Sequence, residues 1–325
     1  MADLILHHYW TSPYAGKIHA ILGYKNMTWR SCEAPVIPPR PNLDPFLAPF
    51  RRIPVLQIGA DFFCDSRLIA RVLDAIAPEP TLFPPGSEGL SRLVAGWAEP
   101  RVFTNIGPLR FRSAKDIPAV ADGRFTAEEF FADRIPFIGR AASHSPKALA
   151  ASREDHLRGY LDAIETVLEE SGDFVCGAAP SAADFSFAHT VWFLSRPPAR
   201  EDLLAPFPRV RAWAERLQSF GHGSFEPISG EDAHEAVRAG QDATPFEPPW
   251  PAFDDERLGR EVEVAPDDYG KNPMRGKLIA STRDHVAIER EAAGFGTVRV
   301  HVPRIGHEIV DAALVDQEAA RKRAE

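Results

Sequence analysis

An apolar run from Leu4 to His8 opens the chain, and Ser12-Pro13 breaks it. Apolar residues then recur at Tyr14, Ile18, Ile21 and Leu22, the spacing of one helical face. Gly23 predicts the end of that helix, and Thr28 to Cys32 predicts a second extended run, so the opening reads as a βαβ unit. A proline-rich connector follows (Pro35, Pro38, Pro39, Pro41, Pro45, Pro49). Beyond it, Ile53 to Ile58, a turn at Gly59-Ala60-Asp61, and Phe62 to Cys64 predict a hairpin. Asp65 and Ser66 stand where either side chain can cap a helix whose apolar stripe is Leu68, Ile69, Val72, Leu73 and Ile76. The first module ends near Ala77-Pro78.

The next stretch carries helical periodicity and few strand signals. One stripe is Leu157, Tyr160, Leu161, Ile164, Val167 and Leu168; another is Val210, Trp213, Ala214, Leu217 and Phe220. Between them, Pro180-Ser181-Ala182-Ala183-Asp184 puts Ser181 and Asp184 at the two positions of a capping box ahead of Phe185, Ala188, Val191, Trp192 and Leu194. After Gly221 the composition turns to proline, glycine and acids, which predicts a linker or irregular wrap. From Gly259, valines alternate with polar residues at Val262 and Val264 and again at Val298, Val300 and Val302, and Val286 and Ile288 alternate likewise. These patterns predict an α/β module over 1–80, an all-helical bundle over 86–222, and an extension over 223–325 holding a small antiparallel β unit at about 258–311. A unit of about 50 residues rarely buries enough surface to stand alone, so it is expected to dock on the helical module or on a second subunit.

Composition narrows the function classes. The 325 residues carry 37 Lys plus Arg against 46 Asp plus Glu, a net charge of −9, so the molecule as a whole repels nucleic acid and anionic membrane. The basic interval from Lys271 to Arg304 is offset by acids on either side. No apolar run is long enough to span a bilayer. His7 and His8 interrupt the apolar stretch that a secretory signal would need, so a cytoplasmic protein is expected. Cys32, Cys64 and Cys176 are far apart and in no metal-ligand spacing, which predicts buried reduced thiols and no metal site.

Four segments point to one chemistry in combination: Tyr9-Trp10-Thr11-Ser12-Pro13-Tyr14-Ala15-Gly16-Lys17, Ala48-Pro49-Phe50-Arg51-Arg52-Ile53-Pro54-Val55-Leu56, Asp65-Ser66, and Pro180 to Asp184. Together they resemble the soluble glutathione transferases, over about residues 3–220. The resemblance implies a thioredoxin-like N-terminal domain, a helical C-terminal domain, a homodimer, and glutathione as co-substrate. It implies that Ile53, before a cis Pro54, pairs through its backbone with the cysteinyl part of the tripeptide. Asp65 and Ser66 would meet the ammonium and carboxylate of the γ-glutamyl end, and Arg52, with Arg40 second, the glycyl carboxylate. Ser12 falls where serine-type members place the hydroxyl that stabilises the thiolate, with Tyr9 and Tyr14 as nearby alternatives. The electrophile would lie against Trp10, Tyr14, Trp97, Arg101 and Phe111.

Each of these residues also has a plain structural role open to it: Ser12 and Asp65 as helix caps, Arg52 as a solvated surface cation, the aromatics as core. Two departures matter. Aspartate stands at position 65 where many members have glutamate, and about 100 residues follow the usual bundle. The expected function is glutathione-dependent transfer to a small, mostly apolar electrophile. The alternatives are a non-catalytic binding or assembly module and a glutathione-dependent isomerase or lyase. Other constellations are weaker: His301, His307, Asp311 and Cys176 lack a ligand spacing, Ser12 lacks a Gly-x-Ser-x-Gly elbow, and Gly294 and Gly296 serve a hairpin.

Overall fold

The computed structural model describes residues 3–103, 107–111, 113–117, 124–138, 146–197 and 199–324. The strands are β1 (Ile5–His8), β2 (Thr28–Glu33), β3 (Val55–Ile58), β4 (Asp61–Cys64), β5 (Ser224–Ile228), β6 (Glu261–Pro266), β7 (Met274–Ser281), β8 (His285–Ala292), β9 (Gly296–Pro303) and β10 (His307–Asp311). The α-helices are α1 (Pro13–Tyr24), α2 (Asp44–Leu47), α3 (Ser66–Ile76), α4 (Glu88–Trp97), α5 (Ala127–Ile138), α6 (Pro146–Ser171), α7 (Ala182–Ser195), α8 (Glu201–Leu204), α9 (Pro208–Ser219), α10 (Gly230–Ala239) and α11 (Ala312–Ala324). They divide between two compact units. One, the sheet unit, comprises Met1–Tyr9, Thr28–Ala75 and Phe225–Glu325; the other, the helical unit, comprises Trp10–Met27 and Ile76–Ser224.

One ten-stranded sheet, in the order β10-β6-β7-β8-β9-β4-β3-β1-β2-β5, runs through the sheet unit. β1 pairs in parallel with β2 and antiparallel with β3, and β3 pairs antiparallel with β4, the thioredoxin-like core that the first 80 residues predict. The extension departs from expectation. It is no small separate β unit: β9 lies parallel to β4, with Asp61 opposite Arg299, Phe62 opposite Val300 and Phe63 opposite His301, so the meander β6–β10 continues the first domain's sheet. The physical reason is an edge. β4 would otherwise present a row of unpaired backbone groups, and β9 covers it. The core follows the sheet, for Leu43, Phe46, Val55, Phe62 and Cys64 form one buried cluster with Val262, Val264, Met274, Leu278, Val286, Ile288, Val298, Val300 and Val302.

The stretch expected to be a linker holds β5 and α10. Helix α10 starts at Ser229, whose hydroxyl accepts from the Asp232 N–H at 3.1 Å while the Asp232 carboxylate accepts the Ser229 N–H at 2.9 Å. Strand β7 escapes the alternation reading because Gly276 sits at one of its buried positions. A Cβ there would lie 2.6 Å from the Glu289 carbonyl oxygen, so only glycine lets β7 and β8 approach.

In the helical unit α7 is the buried hub, lined by Phe185, Phe187, His189, Val191 and Leu194, with α1, α4 and α9 packed around it. Gly23 does not end α1. The helix runs to Tyr24, Asn26 takes the left-handed conformation at φ 49, and Gly23 instead makes room for the Gly221 carbonyl, 2.4 Å from where a Cβ would be.

Asp184, fully buried at the start of α7, gathers four donors. Its Oδ2 accepts from the Ser181 N–H at 2.8 Å and the Ser181 hydroxyl at 2.6 Å, and its Oδ1 accepts from the Val175 N–H and the Trp213 indole, both at 2.8 Å. Asp184→Ala removes the cap and leaves buried donors unpaired, and it should cost about 2–3 kcal/mol in urea unfolding. An unchanged midpoint would remove this cluster from the account of α7.

Candidate functional site

In the sheet unit the site grows out of the β3–β4 hairpin. Val55 stands opposite Cys64, so the antiparallel register brings Ile53-Pro54, before β3, to the same end as Asp65-Ser66, after β4. The Ile53–Pro54 bond is cis. Asp65 takes φ 79, a left-handed conformation that costs a non-glycine residue about 1–3 kcal/mol and persists where surrounding contacts enforce it. Those contacts come from Arg67. The Asp65 Oδ1 accepts the Arg67 N–H at 2.8 Å and its Nε at 3.1 Å, and Oδ2 accepts Nη2 at 2.9 Å. Burial alone would raise the Asp65 pKa, but the Arg67 guanidinium and these bonds hold the carboxyl well below the usual carboxylate range. Ser66 is buried as the first residue of α3. A helix start beside an ionised carboxylate offers both signs of charge to a zwitterionic amino-acid end.

The cations expected for the glycyl carboxylate are engaged elsewhere. Arg52 donates to the Asp268 carboxylate and the Tyr269 carbonyl, and its guanidinium lies 4.1 Å above the Tyr269 ring, all on the turn between β6 and β7. Burial lowers its pKa, but Tyr269 and Asp268 outweigh that and hold it fully charged. Arg40 is 3% exposed and spends its guanidinium on the carbonyls of Pro35, Val36 and Arg51. It holds the connector together and is not placed to meet a ligand. His307, on β10, is buried within electrostatic reach of Asp65, Arg52, Arg67 and Asp268, with both ring nitrogens unpartnered; burial first, then the two arginines, push its pKa down to about 4 against the pull of Asp65. Sequence reasoning missed Arg67, Asp268, Tyr269 and His307 as neighbours of the Asp65 turn. Only Arg67 left a signal, since an aspartate side chain commonly accepts the backbone N–H two residues on, and Arg67 stands at that position after Asp65. The others lie more than 200 residues away along the chain.

In the helical unit Ser12 is the N-cap of α1, 1% exposed, and its Oγ accepts the Ala15 N–H at 3.2 Å. That bond uses an acceptor position, and a hydroxyl keeps its proton to donate. Tyr14 is committed, its hydroxyl donating to the Glu99 carbonyl at 3.1 Å. Beneath it Lys17 and Glu99 form a buried ion pair. Tyr14 begins a row of rings: 4.9 Å to His189, 5.0 Å to Phe103, then Phe103 to Phe193 at 5.5 Å and Phe193 to Phe111 at 6.2 Å. Of the other rings expected at the electrophile, Trp10 packs at a tilt on His19 and His222, and Trp97 packs on Tyr160 and Phe187. Arg101 lies in the stretch Ala98–Val102, its side chain outside the described residues. Cys32, Cys64 and Cys176 are free; burial pushes the thiols of Cys32 and Cys64 up, which keeps them protonated and poor nucleophiles.

Comparisons with known proteins agree with this architecture. Residues 6–81 match the family model of the glutathione S-transferase N-terminal domain and residues 146–216 that of the C-terminal domain. The crystal structure of a GST-like protein from Pseudomonas syringae is 32% identical, aligns over 96% of this chain and 100% of its own, and superposes with a TM-score of 0.77. The beta-etherase LigF from Sphingobium sp. strain SYK-6 shares the fold at 18% identity and a TM-score of 0.53, over 67% of this chain and 95% of its own. No curated protein matches the chain.

Proposed function

The chain belongs to the glutathione S-transferase superfamily, and from that premise we propose that it binds glutathione at the Pro54 and Asp65 end of the β3–β4 hairpin and uses Ser12 to hold the sulfur as a thiolate. The observation that carries the reading is the Asp65–Ser66 turn: a non-glycine residue held at φ 79, ionised, at the start of a helix and level with Ile53-Pro54. The Ile53 backbone would pair with the cysteinyl residue. Ser66 and the start of α3 would take the γ-glutamyl carboxylate, and Asp65, kept anionic by Arg67, the ammonium. Arg52 would reach the glycyl carboxylate only by sharing its charge with Asp268.

The thiolate then attacks an electrophilic carbon: a sulfur–carbon bond forms and the leaving group departs with its bonding pair. A free thiol with a pKa near 8.5 is a few per cent ionised at neutral pH, and lowering it by two units takes about 2.7 kcal/mol. One hydrogen bond to a charged acceptor supplies about 1.5–3 kcal/mol, which the Ser12 hydroxyl at the start of α1 can provide together with the helix end. Ser12→Ala should therefore raise the pKa of bound glutathione by about one unit or more, read from the ultraviolet absorbance of the thiolate. An identical titration in both proteins would remove Ser12 from the mechanism. The engagement of Arg52 by Asp268 favours a second reading, a binding module that does not turn over. Retention on immobilised glutathione with elution by the free tripeptide supports the enzyme, and indifference to glutathione supports the module.

A further inference from the structure

The helical unit buries a positive charge with which, among the described residues, no acidic side chain pairs. Arg110, in the short turn Gly107–Arg110, is 2% exposed. Its Nη2 donates to the Pro197 carbonyl at 2.7 Å, its guanidinium lies 4.3 Å over the Phe193 ring, and its Nε and Nη1 have no acceptor. Arg196, a charge of its own sign, acts on it, and burial first, then that neighbour, lowers the Arg110 pKa to about 10. Arg200 shows what the fold does with an arginine it needs only for structure. Arg200 donates to the Leu109 carbonyl, next to Arg110 in the chain, and is matched by Asp202 and Glu154.

The unpartnered groups continue along α7. Ser186, His189, Thr190 and Phe193 fall at i, i+3, i+4 and i+7, one face of the helix. The Ser186 and Thr190 hydroxyls lack hydrogen-bond partners although both residues are buried, and the equally buried His189 ring turns toward the backbone of its own helix at Phe185 and Ser186. Burial pushes the His189 pKa down to about 4, so the imidazole is neutral at pH 7, with one nitrogen to donate and one to accept. Tyr14, Phe103 and Phe111 join Phe193 as ring faces beside this stripe. From His189 to Phe193 is one helical turn, about 5–6 Å, the length of a six-membered ring with one substituent.

We propose that this face of α7 with Arg110 is a binding pocket for a flat, aromatic carboxylic acid, the carboxylate on Arg110 and the ring along Phe193 and Phe103, with the far end against His189. Buried polar groups left without partners are costly and uncommon, and here a buried guanidinium lies over Phe193 on a helix face that also carries the unpartnered Ser186 and Thr190 hydroxyls, which marks a place built for a ligand. The structural alternative is that Arg110 serves the C-terminal end of α7, where the helix dipole and the Pro197 carbonyl attract a cation. Exposed Arg196 already offers one there at no cost of burial, and the pull of a helix end is small beside the penalty for an uncompensated buried guanidinium. The proposal names the co-substrate class of the enzyme proposed above and depends on that reading only for the word co-substrate. The pocket lies in the helical unit, so its test needs no glutathione.

Calorimetry on the full chain with benzoate, against benzamide as its uncharged isostere, reads the charge directly. Benzoate should bind at least tenfold more tightly than benzamide, Arg110→Gln should abolish the difference by weakening benzoate alone, and Arg110→Lys should keep part of it. Equal affinity for the two probes, no binding of either, or a preference that survives Arg110→Gln would overturn the proposal. Thermal melting of Arg110→Met without any probe gives an independent check. A residue kept for a ligand burdens the empty fold, so this variant should melt at or above the temperature of the parent. A clear fall in melting temperature, or failure to fold, would assign Arg110 to structure.

Discussion

Truncation after Gly221 is expected to destroy the sheet unit rather than trim it. The cut removes β5 to β10, and with them more than half of the buried cluster that Val55, Ala60, Phe62 and Cys64 share with the valines of the extension. It also strips β9 from β4, which leaves the backbone of β4 open to pairing with another chain. The turn that carries the proposed glutathione contacts fails as well, because Asp268 and Tyr269 anchor Arg52, and Arg67 packs against Gly306, where a Cβ would lie 2.6 Å from its Nη2. The truncated chain should be aggregated or lack cooperative unfolding, and it should not bind glutathione. A monodisperse, cooperatively melting fragment that binds the tripeptide would show that residues 1–221 carry a complete fold without the extension.

Loss of one buried carboxylate should come close to the same outcome. Asp61, on β4, receives the Arg299 guanidinium at 2.7 and 2.9 Å and the His301 ring at 2.9 Å, both from β9, so a buried ion cluster fastens the extension to the first domain. Burial raises the Asp61 pKa, but His301 and Arg299 outweigh it and hold the carboxyl below its ordinary value. A carboxylate depressed in the folded state stabilises it above the unfolded pKa of about 3.9 and loses that contribution as pH falls further, so the cluster is fully present at neutral pH. Asp61→Ala leaves a guanidinium buried and unpaired, and the expected cost is about 3–5 kcal/mol. Urea unfolding at pH 7 checks it; a loss under about 1 kcal/mol would mean that the valine core alone joins the two parts.

What could be read in advance follows how local each signal is. The βαβ start, the β3–β4 hairpin, the Asp65–Ser66 helix start and the Ser181–Asp184 capping box depend on neighbours within a few residues, and each stands where the pattern put it. Strand β7 hid behind Gly276, and β5 behind exposed positions and Pro227, because alternation fades where one face is glycine or both faces meet solvent. Helix α10 left a legible trace, Ser229 three residues before Asp232 with Ala233 and Val237 buried behind it, inside a segment whose prolines suggested a linker. The pairing of β4 with β9 had no local signature. Two strands more than 230 residues apart meet through an Asp–Arg pair that reads, in sequence, as two unrelated surface charges. The same distance concealed Asp268, Tyr269 and His307 from the reading of the site, and made Arg52 look free.

The central claim is that the Asp65–Ser66 turn receives the γ-glutamyl end of glutathione, and isothermal calorimetry with glutathione on the parent chain and on Asp65→Ala tests it most directly. The account predicts measurable binding by the parent and an affinity roughly 1.5–3 kcal/mol weaker in the variant, about ten- to over a hundredfold. Equal affinities, or a parent chain that takes up no heat with glutathione, would contradict it and leave the turn as a helix start braced by Arg67.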